Sequence, residues 1–447
     1  MSTENCKIEV FTKEVCGKIK KLNGGNMAPP ISGEKAGMSL RKPFGEMNLA
    51  LTRLHDAPLD NPGCKLVDVH QIFANFHADA DDPRNYYFKQ TDDYIKNCIE
   101  LGCPVYYRLG TSIEHSCNKY FTGIPEDVDK WIDICDHIIR HYTEGWNNGF
   151  NFRIRYWEIW NEPEVCDGDG LHLMWAGSMQ DYCEFYVKAA TELKKRFPHL
   201  MIGGPAQCSY NQHTKPFIKY CADHKAPLDF YSYHMYASDP YGWIQETAHL
   251  VKKDLEEAGY KDAEVHLNEW HYFPGGDWKR LREDPEYKKQ TFAEMKGIHS
   301  AAFLCTVMAL WQDTPMDMGC YYTCTASAWG LFETRSTIPT KSYYGMKAFG
   351  EIVRYPERLK ASSSCKDVTV LAGQDEKGKK GLLLSAFKLE EEMSVTITLD
   401  EAPREGSVKM LLLNSEKDLV EVPVSFKGNE LTLPLEKGST VAVITFA

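Results

Sequence analysis

The sequence predicts an α/β fold, a (β/α)8 TIM barrel followed by a C-terminal antiparallel β-sandwich. Three observations predict it. From residue 18 to residue 356 short apolar runs alternate with longer helical patterns, eight such runs are present, and after Tyr355 only strand-like alternation remains. Apolar strands separated by helices make parallel βαβ units with both sheet faces covered. Eight units close into a barrel, and this stretch is long enough for a barrel with insertions.

The first run lies in "KIKKLNGGNMAP" (18–29) and the second is "NLALTRLHD" (48–56). There follow "CPVYYRLG" (103–110), "FRIRYWEIWNE" (152–162), "LMIGGP" (200–205), "LDFYSYHMY" (228–236), "EVHLNEW" (264–270) and "MGCYYTC" (318–324). Between them stand helical patterns such as "TDDYIKNCIELG", "VDKWIDICDHIIRHYTEG" and "MQDYCEFYVKAATELKKRF", the first two ending on a glycine suited to a C-cap. Beyond Tyr355, "DVTVLAGQDEKGKKGLLLSAF", "MSVTITLDEAPREGSVKMLLLN" and "NELTLPLEKGSTVAVITFA" alternate in the strand period and are joined by Gly, Asp and Lys turns. The expected domains are therefore 18–356 and 357–447, with the opening strand 6–17 joining the second. A doubly wound open sheet is the structural rival. It would carry a glycine-rich phosphate loop after its first strand, and neither G-x-G-x-x-G nor G-x-x-x-x-G-K-[ST] occurs there.

Composition narrows the partners. The chain has 447 residues and a net charge of -12, which argues against nucleic acid or an anionic membrane as the main partner. The first residues hold no apolar core of signal-peptide length. The longest apolar run, "SAAFLCTVMALW", is too short to span a bilayer and reads as a buried helix. The 15 cysteines are odd in number and scattered, which fits reduced thiols in a cytoplasmic protein. "CYYTC" (Cys320, Cys324) and "HIIRH" (His137, His141) contain ligand-type residues. Neither has a matching second half, so core cysteines and surface helix histidines are expected rather than a metal site.

In such barrels the polar residues at the C-terminal ends of strands form the active site. Those ends offer Arg53, His55 and Asp56, then Asn161 and Glu162, His234 and Tyr236, Asn268 and Glu269, and Tyr321 and Tyr322. Two carboxyl groups facing each other across a sugar-sized cleft are the equipment of glycosidic bond cleavage: one protonates the leaving oxygen, the other attacks the anomeric carbon or activates water. Their surroundings must differ so that one is protonated while the other is ionised. Glu162 has apolar flanks in Trp160 and Pro163, while Glu269 needs donors such as Tyr236 or Arg53. Tryptophan and tyrosine near a cleft also suit the C–H faces of a pyranose. The plain alternative is a pair of surface glutamates, which the shared strand-end position and aromatic neighbours disfavour. Glu158, inside the strand, is expected to form an ion pair with Arg53 or Arg155, and Glu164, after the turn, to be solvated.

On these residues the chain resembles the clan of retaining glycosidases built on (β/α)8 barrels, through "YWEIWNEPE". Within the clan it is most similar to glycoside hydrolase family 39, which includes β-xylosidases and α-L-iduronidases. "LTRLHD", "DFYSYHMY", "HLNEW" and "WGLFE…PTKSYYGMKAFGEI" carry that resemblance over nearly the whole chain. It implies Glu162 as acid/base, Glu269 as nucleophile and Asn161 as partner of the sugar 2-hydroxyl. It also implies that Arg53 and His55 hold the nucleophile and line the subsite, and that His234 and Tyr236 form the sixth-strand pair, with Tyr236 on Glu269. No metal or organic cofactor is implied. Sandwich domains of such enzymes can mediate association, which leaves oligomerisation open.

Two departures bear on specificity. Asn268 stands where the family usually has threonine, and Tyr322 where it often has a tryptophan under the sugar. Trp329 is the residue available to close the pocket instead. The implied activity is a retaining exo-glycosidase, β-xylosidase-like, acting on short oligosaccharides or glycosides. Arabinosidase, glucosidase and iduronidase specificities, or a non-catalytic carbohydrate-binding barrel, are the alternatives. "HYFPGGDWKRLRED" after Glu269 is by default a surface loop, with Trp278 its best candidate for contact with an aglycone.

Overall fold

A computed structural model describes residues 5–27, 39–54, 67–111, 122–165 and 174–447. Strand β1 (Asn5–Lys18) is followed by eight parallel strands: β2 (Gly24–Asn26), β3 (Thr52–Leu54), β4 (Val105–Leu109), β5 (Tyr156–Ile159), β6 (Met201–Gln207), β7 (Phe230–Ala237), β8 (Glu264–Tyr272) and β9 (Met316–Tyr321). They close in that order into a barrel. Each of the eight runs read from the sequence overlaps one of these strands; the first four contain theirs, and the last four strands extend one or two residues beyond one end of their runs. Closure pairs Gly24 with Cys320 and Gly25 with Tyr321. Glycine is required at this seam, because a Cβ on Gly24 would lie 2.6 Å from the Gly319 carbonyl oxygen.

The helices Lys89–Glu100, Val128–Thr143 and Met179–Arg196 cover the barrel with one buried face each. Gly102 (φ 71°) and Gly145 (φ 74°) follow the first two in the left-handed conformation. The third begins with a capping box in which the Ser178 hydroxyl and the Asp181 carboxylate satisfy each other's backbone N–H groups. Helix Ile298–Leu310 is buried almost all round, because it lies between the barrel and a second sheet.

That sheet comprises β1 and β10 (Glu357–Ser363), β11 (Val368–Gln374), β12 (Lys380–Leu389), β13 (Met393–Leu399), β14 (Lys409–Leu413), β15 (Asp418–Val422), β16 (Glu430–Leu435) and β17 (Gly438–Phe446). Its order is β15-β14-β17-β12-β11-β10-β1-β13-β16. The opening strand thus sits inside the sheet rather than at its edge. It pairs antiparallel with β10 but parallel with β13, a departure from the purely antiparallel pattern expected. Ile8, Val10, Leu384, Ile397 and Ile444 belong to the sandwich's own core, while Leu371, Leu383, Val441 and Val443 join the core of the barrel. The Ser385 hydroxyl donates to the Ala302 carbonyl at 3.0 Å across this junction.

One expectation about histidines is corrected. His141 is not on the surface: it is buried, stacks on Phe88 at 3.6 Å and lies 3.0 Å from Asp92 Oδ1. Its ring fills the groove between two helices. The cysteines among the described residues are free, and Cys320 and Cys324 are buried. No helix among the described residues is long and apolar enough to cross a membrane.

Candidate active site

The site is built at the C-terminal ends of the barrel strands, where the backbone departs from regular strand geometry. After β5 the chain turns through Trp160 (φ 75°) and Glu162 (φ 47°). Left-handed conformations are costly for such side chains and hold only when neighbours determine them. Here Trp160 donates from Nε1 to the Met174 carbonyl at 2.8 Å, and the Glu162 amide donates to the Ala206 carbonyl at 2.9 Å. A bulge at Ala206 (φ 55°) offsets the β6–β7 register, between Pro205–Ser232 and Gln207–Tyr233. A second bulge, at Asn268, offsets β8 so that Glu269 pairs with His234. An extra residue re-aims the side chains that follow it. Consecutive residues Asn268 and Glu269 consequently both engage partners inside the barrel.

Arg53 is the hub of the buried polar network. Its side chain is fully buried and donates from Nε to Glu158 at 2.8 Å, from Nη2 to Asn161 Oδ1 at 2.6 Å and from Nη1 to Asn26 Oδ1 at 3.2 Å. Glu269 Oε2 lies 3.5 Å from Nη1. Burial works against the charge of Arg53, but Glu158 and then Glu269 more than offset it and hold the guanidinium above its ordinary range. Burial likewise opposes the charge of Glu158, yet Arg53 and the Ser232 hydroxyl, 2.6 Å away, hold that carboxyl below the usual range. Asn268 also donates to Glu158. The expected partner of Glu158 is therefore Arg53. Arg155 pairs instead with Glu264 at 2.8 Å.

Glu269 accepts from the Tyr236 hydroxyl at 2.5 Å. Burial, and then Glu269 itself, push the Tyr236 phenol far above its ordinary range, so it remains a donor. His234 lies between the two carboxyl groups: its Nδ1 is 2.6 Å from Glu162 Oε1 and 3.7 Å from Glu269 Oε2. The three contact atoms lie within 4.8 Å of one another. Among the described residues this is the one set of acidic and imidazole atoms close enough to share a cation. It is equally a pair of carboxyl groups on either side of one imidazole ring. Two buried polar atoms at the site, Asn161 Nδ2 and His234 Nε2, have no hydrogen-bond partner among the described residues. Buried polar atoms normally have one, so these two are available to ligand hydroxyl groups.

An aromatic wall stands beside Glu269. Tyr322 is buried with its ring centroid 6.4 Å from that of Trp329, and Trp329 is 5.6 Å from Tyr236. Among the residues expected at the site, Arg53, Asn161, Glu162, His234, Tyr236 and Glu269 are brought into direct contact, and Tyr322 and Trp329 flank them. His55 and Asp56 lie outside the described residues.

Glu164 is the correction. It is not solvated: Oε1 accepts from the Cys208 amide at 2.7 Å, and Oε2 is buried without a hydrogen-bond partner. Burial, reinforced by the charge of Glu162, pushes its carboxyl up to about 7. Residues that strand-end reasoning missed are Asn26, Ser232, Tyr106 and His271. Asn26 Nδ2 donates to the Asn268 carbonyl at 2.9 Å and ties the first strand to the seventh. His271 is buried, which lowers its imidazole to about 4, and it lies 2.6 Å from the Tyr321 hydroxyl. Asn26 lies within the first run, "KIKKLNGGNMAP", which carries no charged or aromatic residue at its strand end to mark a site.

The sequence profile of glycosyl hydrolases family 39 matches residues 39–258. A β-xylosidase of Caldicellulosiruptor saccharolyticus is 26% identical over 287 residues, which is 59% of this chain and 53% of that one. A β-xylosidase of Geobacillus stearothermophilus is 33% identical over 118 residues, 26% of this chain and 22% of the relative. The matches thus span about half of one relative and about a fifth of the other. Among solved structures, a glucosidase from Croceicoccus marinus superposes with a TM-score of 0.80 at 18% identity, covering 100% of this chain and 99% of that one. A GH39 enzyme from Xanthomonas axonopodis pv. citri gives 0.70 at 15% identity, covering 98% and 97%. These likenesses establish the shared fold. The barrel segment that carries Arg53, Asn161, Glu162 and His234 belongs to glycosyl hydrolases family 39.

Proposed function

We propose that the protein is a retaining exo-glycosidase of β-xylosidase type, with Glu162 as acid/base and Glu269 as nucleophile. The observation that carries this reading is the approach of the two carboxyl groups, whose facing oxygens lie within 4.8 Å. Double displacement uses carboxyl groups about 5–5.5 Å apart, whereas inversion needs about 6.5–9.5 Å to admit a water between them. The burial of Arg53, Asn161, His234 and Glu269 supports a closed pocket for one terminal sugar rather than an open cleft. The name of the two β-xylosidase relatives supports the sugar.

Glu162 gives its proton to the glycosidic oxygen as Glu269 attacks the anomeric carbon; the bond to the leaving group breaks and an ester to Glu269 forms. Glu162, now ionised, takes a proton from water as the water oxygen bonds to the anomeric carbon and the ester bond to Glu269 breaks, which releases the sugar and restores both carboxyl groups. Tyr236 and Arg53 keep Glu269 ionised and aimed before attack, and they receive its oxygens again when the ester is cleaved. His234 holds Glu162 through Nδ1 in both protonation states. Asn161, fixed by Arg53, presents its free N–H to the sugar 2-hydroxyl. Every step uses side chains of the chain itself. The free thiols support a reducing, cytoplasmic setting.

The test is leaving-group dependence. Glu162→Gln slows cleavage of xylobiose or methyl β-xyloside by about 10²–10⁴-fold, the range for general acid catalysis, while aryl xylosides with acidic phenols lose far less in the first step. Equal losses across the series would overturn the assignment of the acid.

A further inference from the structure

Trp278 has no part in the scheme above, and its surroundings give it one. It opens the insert that follows β8, and that insert is not the plain surface loop its sequence suggests. It forms two short helices, Trp278–Glu283 and Pro285–Met295. They are pinned at both ends. Asp277 accepts from the Arg280 amide at 2.8 Å, Asp284 accepts from the Glu286 and Tyr287 amides, and the Tyr287 hydroxyl donates to the Pro274 carbonyl at 3.1 Å. The Arg280 guanidinium lies over the Tyr287 ring at 4.5 Å. A pinned insert holds its tryptophan in one place.

That place adjoins the catalytic pair. The Trp278 ring meets Tyr236 edge-on at 5.1 Å, and Tyr236 is the donor to Glu269. Trp278 also lies near-parallel to Trp329, at 5.8 Å and 24°. Among the described residues, Trp278 is the exposed large apolar side chain whose ring touches a partner of a catalytic carboxyl group. Exposure rises outward along this wall: Glu269 is 3% exposed, Tyr322 7% and Trp278 41%. In a pocket for one terminal sugar, the group cleaved from it points to the mouth. The exposed tryptophan therefore lies on the leaving-group side, beyond the sugar that Asn161 and Glu269 hold.

We propose that Trp278, backed by Trp329, is the stacking platform for the leaving group. Its ligand class is a flat group with an apolar face: a second pyranose presenting C–H bonds, or an aromatic aglycone. This rests on the glycosidase reading and assigns the side of the site that the reading leaves unspecified. The exposed face costs free energy in the unliganded protein, since a tryptophan side chain is among the largest apolar surfaces a residue can bury. A ligand face laid on it recovers that loss only when bound.

The test compares Trp278→Ala and Trp278→Phe with the wild type on xylobiose, 4-nitrophenyl β-xyloside and methyl β-xyloside, the last having no flat leaving group. The result expected is a fall of about tenfold or more in kcat/KM for Trp278→Ala on xylobiose, on the aryl glycoside or on both, equivalent to ~1.4 kcal/mol of lost contact. Trp278→Phe retains most of the wild-type value, and methyl β-xyloside changes less than twofold. Which of the two flat substrates suffers tells sugar from aryl recognition. Losses as large on methyl β-xyloside would overturn the proposal, because the ring would then serve the sugar being cleaved or the fold; so would no loss on any substrate. A wild type inactive on all three, and on the corresponding glucosides and arabinosides, would overturn the glycosidase reading and this proposal with it. A circular dichroism melt of each variant identifies a folding defect; where Trp278→Ala shows one, Trp278→Leu, which keeps apolar bulk without a flat ring, carries the comparison with the same losses expected.

Discussion

Glu158 and Glu164 flank Glu162, the proposed proton donor, at four residues before and two after, and their surroundings drive them to opposite states. Glu158 is buried against Arg53 and is held as a carboxylate. Its charge lets Arg53 serve Glu269 without leaving a buried cation short of partners. Breaking such a pair by removing one charge costs about 3–5 kcal/mol. Glu158→Gln, which keeps the shape, is thus expected to lower the denaturant midpoint markedly, and an unchanged midpoint would contradict the role given to the pair. Glu164 has no cation partner among the described residues, and burial raises its carboxyl to about 7 from 4.5. The folded chain then holds a proton that the unfolded chain has released between those values. Its contribution to stability is greatest below pH 4.5, declines as pH rises, and is a full penalty above pH 7. Glu164→Gln is expected to gain stability relative to the wild type on going from pH 5 to pH 8, by up to a few kcal/mol. A constant difference across that range, read from urea melts, would refute it. Nothing in "YWEIWNEPE" announces this difference, since both residues are glutamates near aromatic neighbours. Only the place of Arg53, 105 positions earlier in the chain than Glu158, separates them.

At the scale of elements, the eight barrel strands were legible because buried parallel strands are short, apolar and separated by amphipathic helices. Their ends were less so. The bulges at Ala206 and Asn268 and the left-handed turns at Trp160 and Glu162 break the period of two on which such reading depends. Asn268 was noted as a departure from the family, but its side chain could not be aimed at Glu158 without knowing of the bulge. Gly110 shows how one element sets the next. It ends β4 at φ 134°, and a Cβ there would lie 2.9 Å from Trp160 Cε3. Trp160 in turn leads into the turn that carries Glu162. Gly110→Ala is expected to destabilise by roughly 1–3 kcal/mol through strain at positive φ and to reduce activity more than a surface Gly→Ala change, by displacing Trp160. Wild-type melting and kinetics in this variant would count against that coupling.

Over the whole molecule, two cores share one boundary. The barrel core reaches into the sheet through Leu371, Leu383, Val441 and Val443, and helix Ile298–Leu310 is apolar on every side because it is enclosed from both. Its uniform hydrophobicity was readable as burial, while the parallel pairing of β1 with β13 was not, because strand direction leaves no mark on an alternating pattern. The site lies at the C-terminal mouth of the barrel, drawn from four strands that are distant in sequence and meet at Arg53, Glu158, Asn161, His234 and Glu269. The central claim is that Glu269 forms the covalent bond to the sugar. Incubation with a 2-deoxy-2-fluoro-β-xyloside bearing an activated leaving group, followed by peptide mass spectrometry, tests it most directly. One fluorosugar is expected on the peptide containing Glu269, with no label in Glu269→Gln; a label on another carboxyl group, or turnover by an intact Glu269→Gln enzyme, would refute the nucleophile assignment.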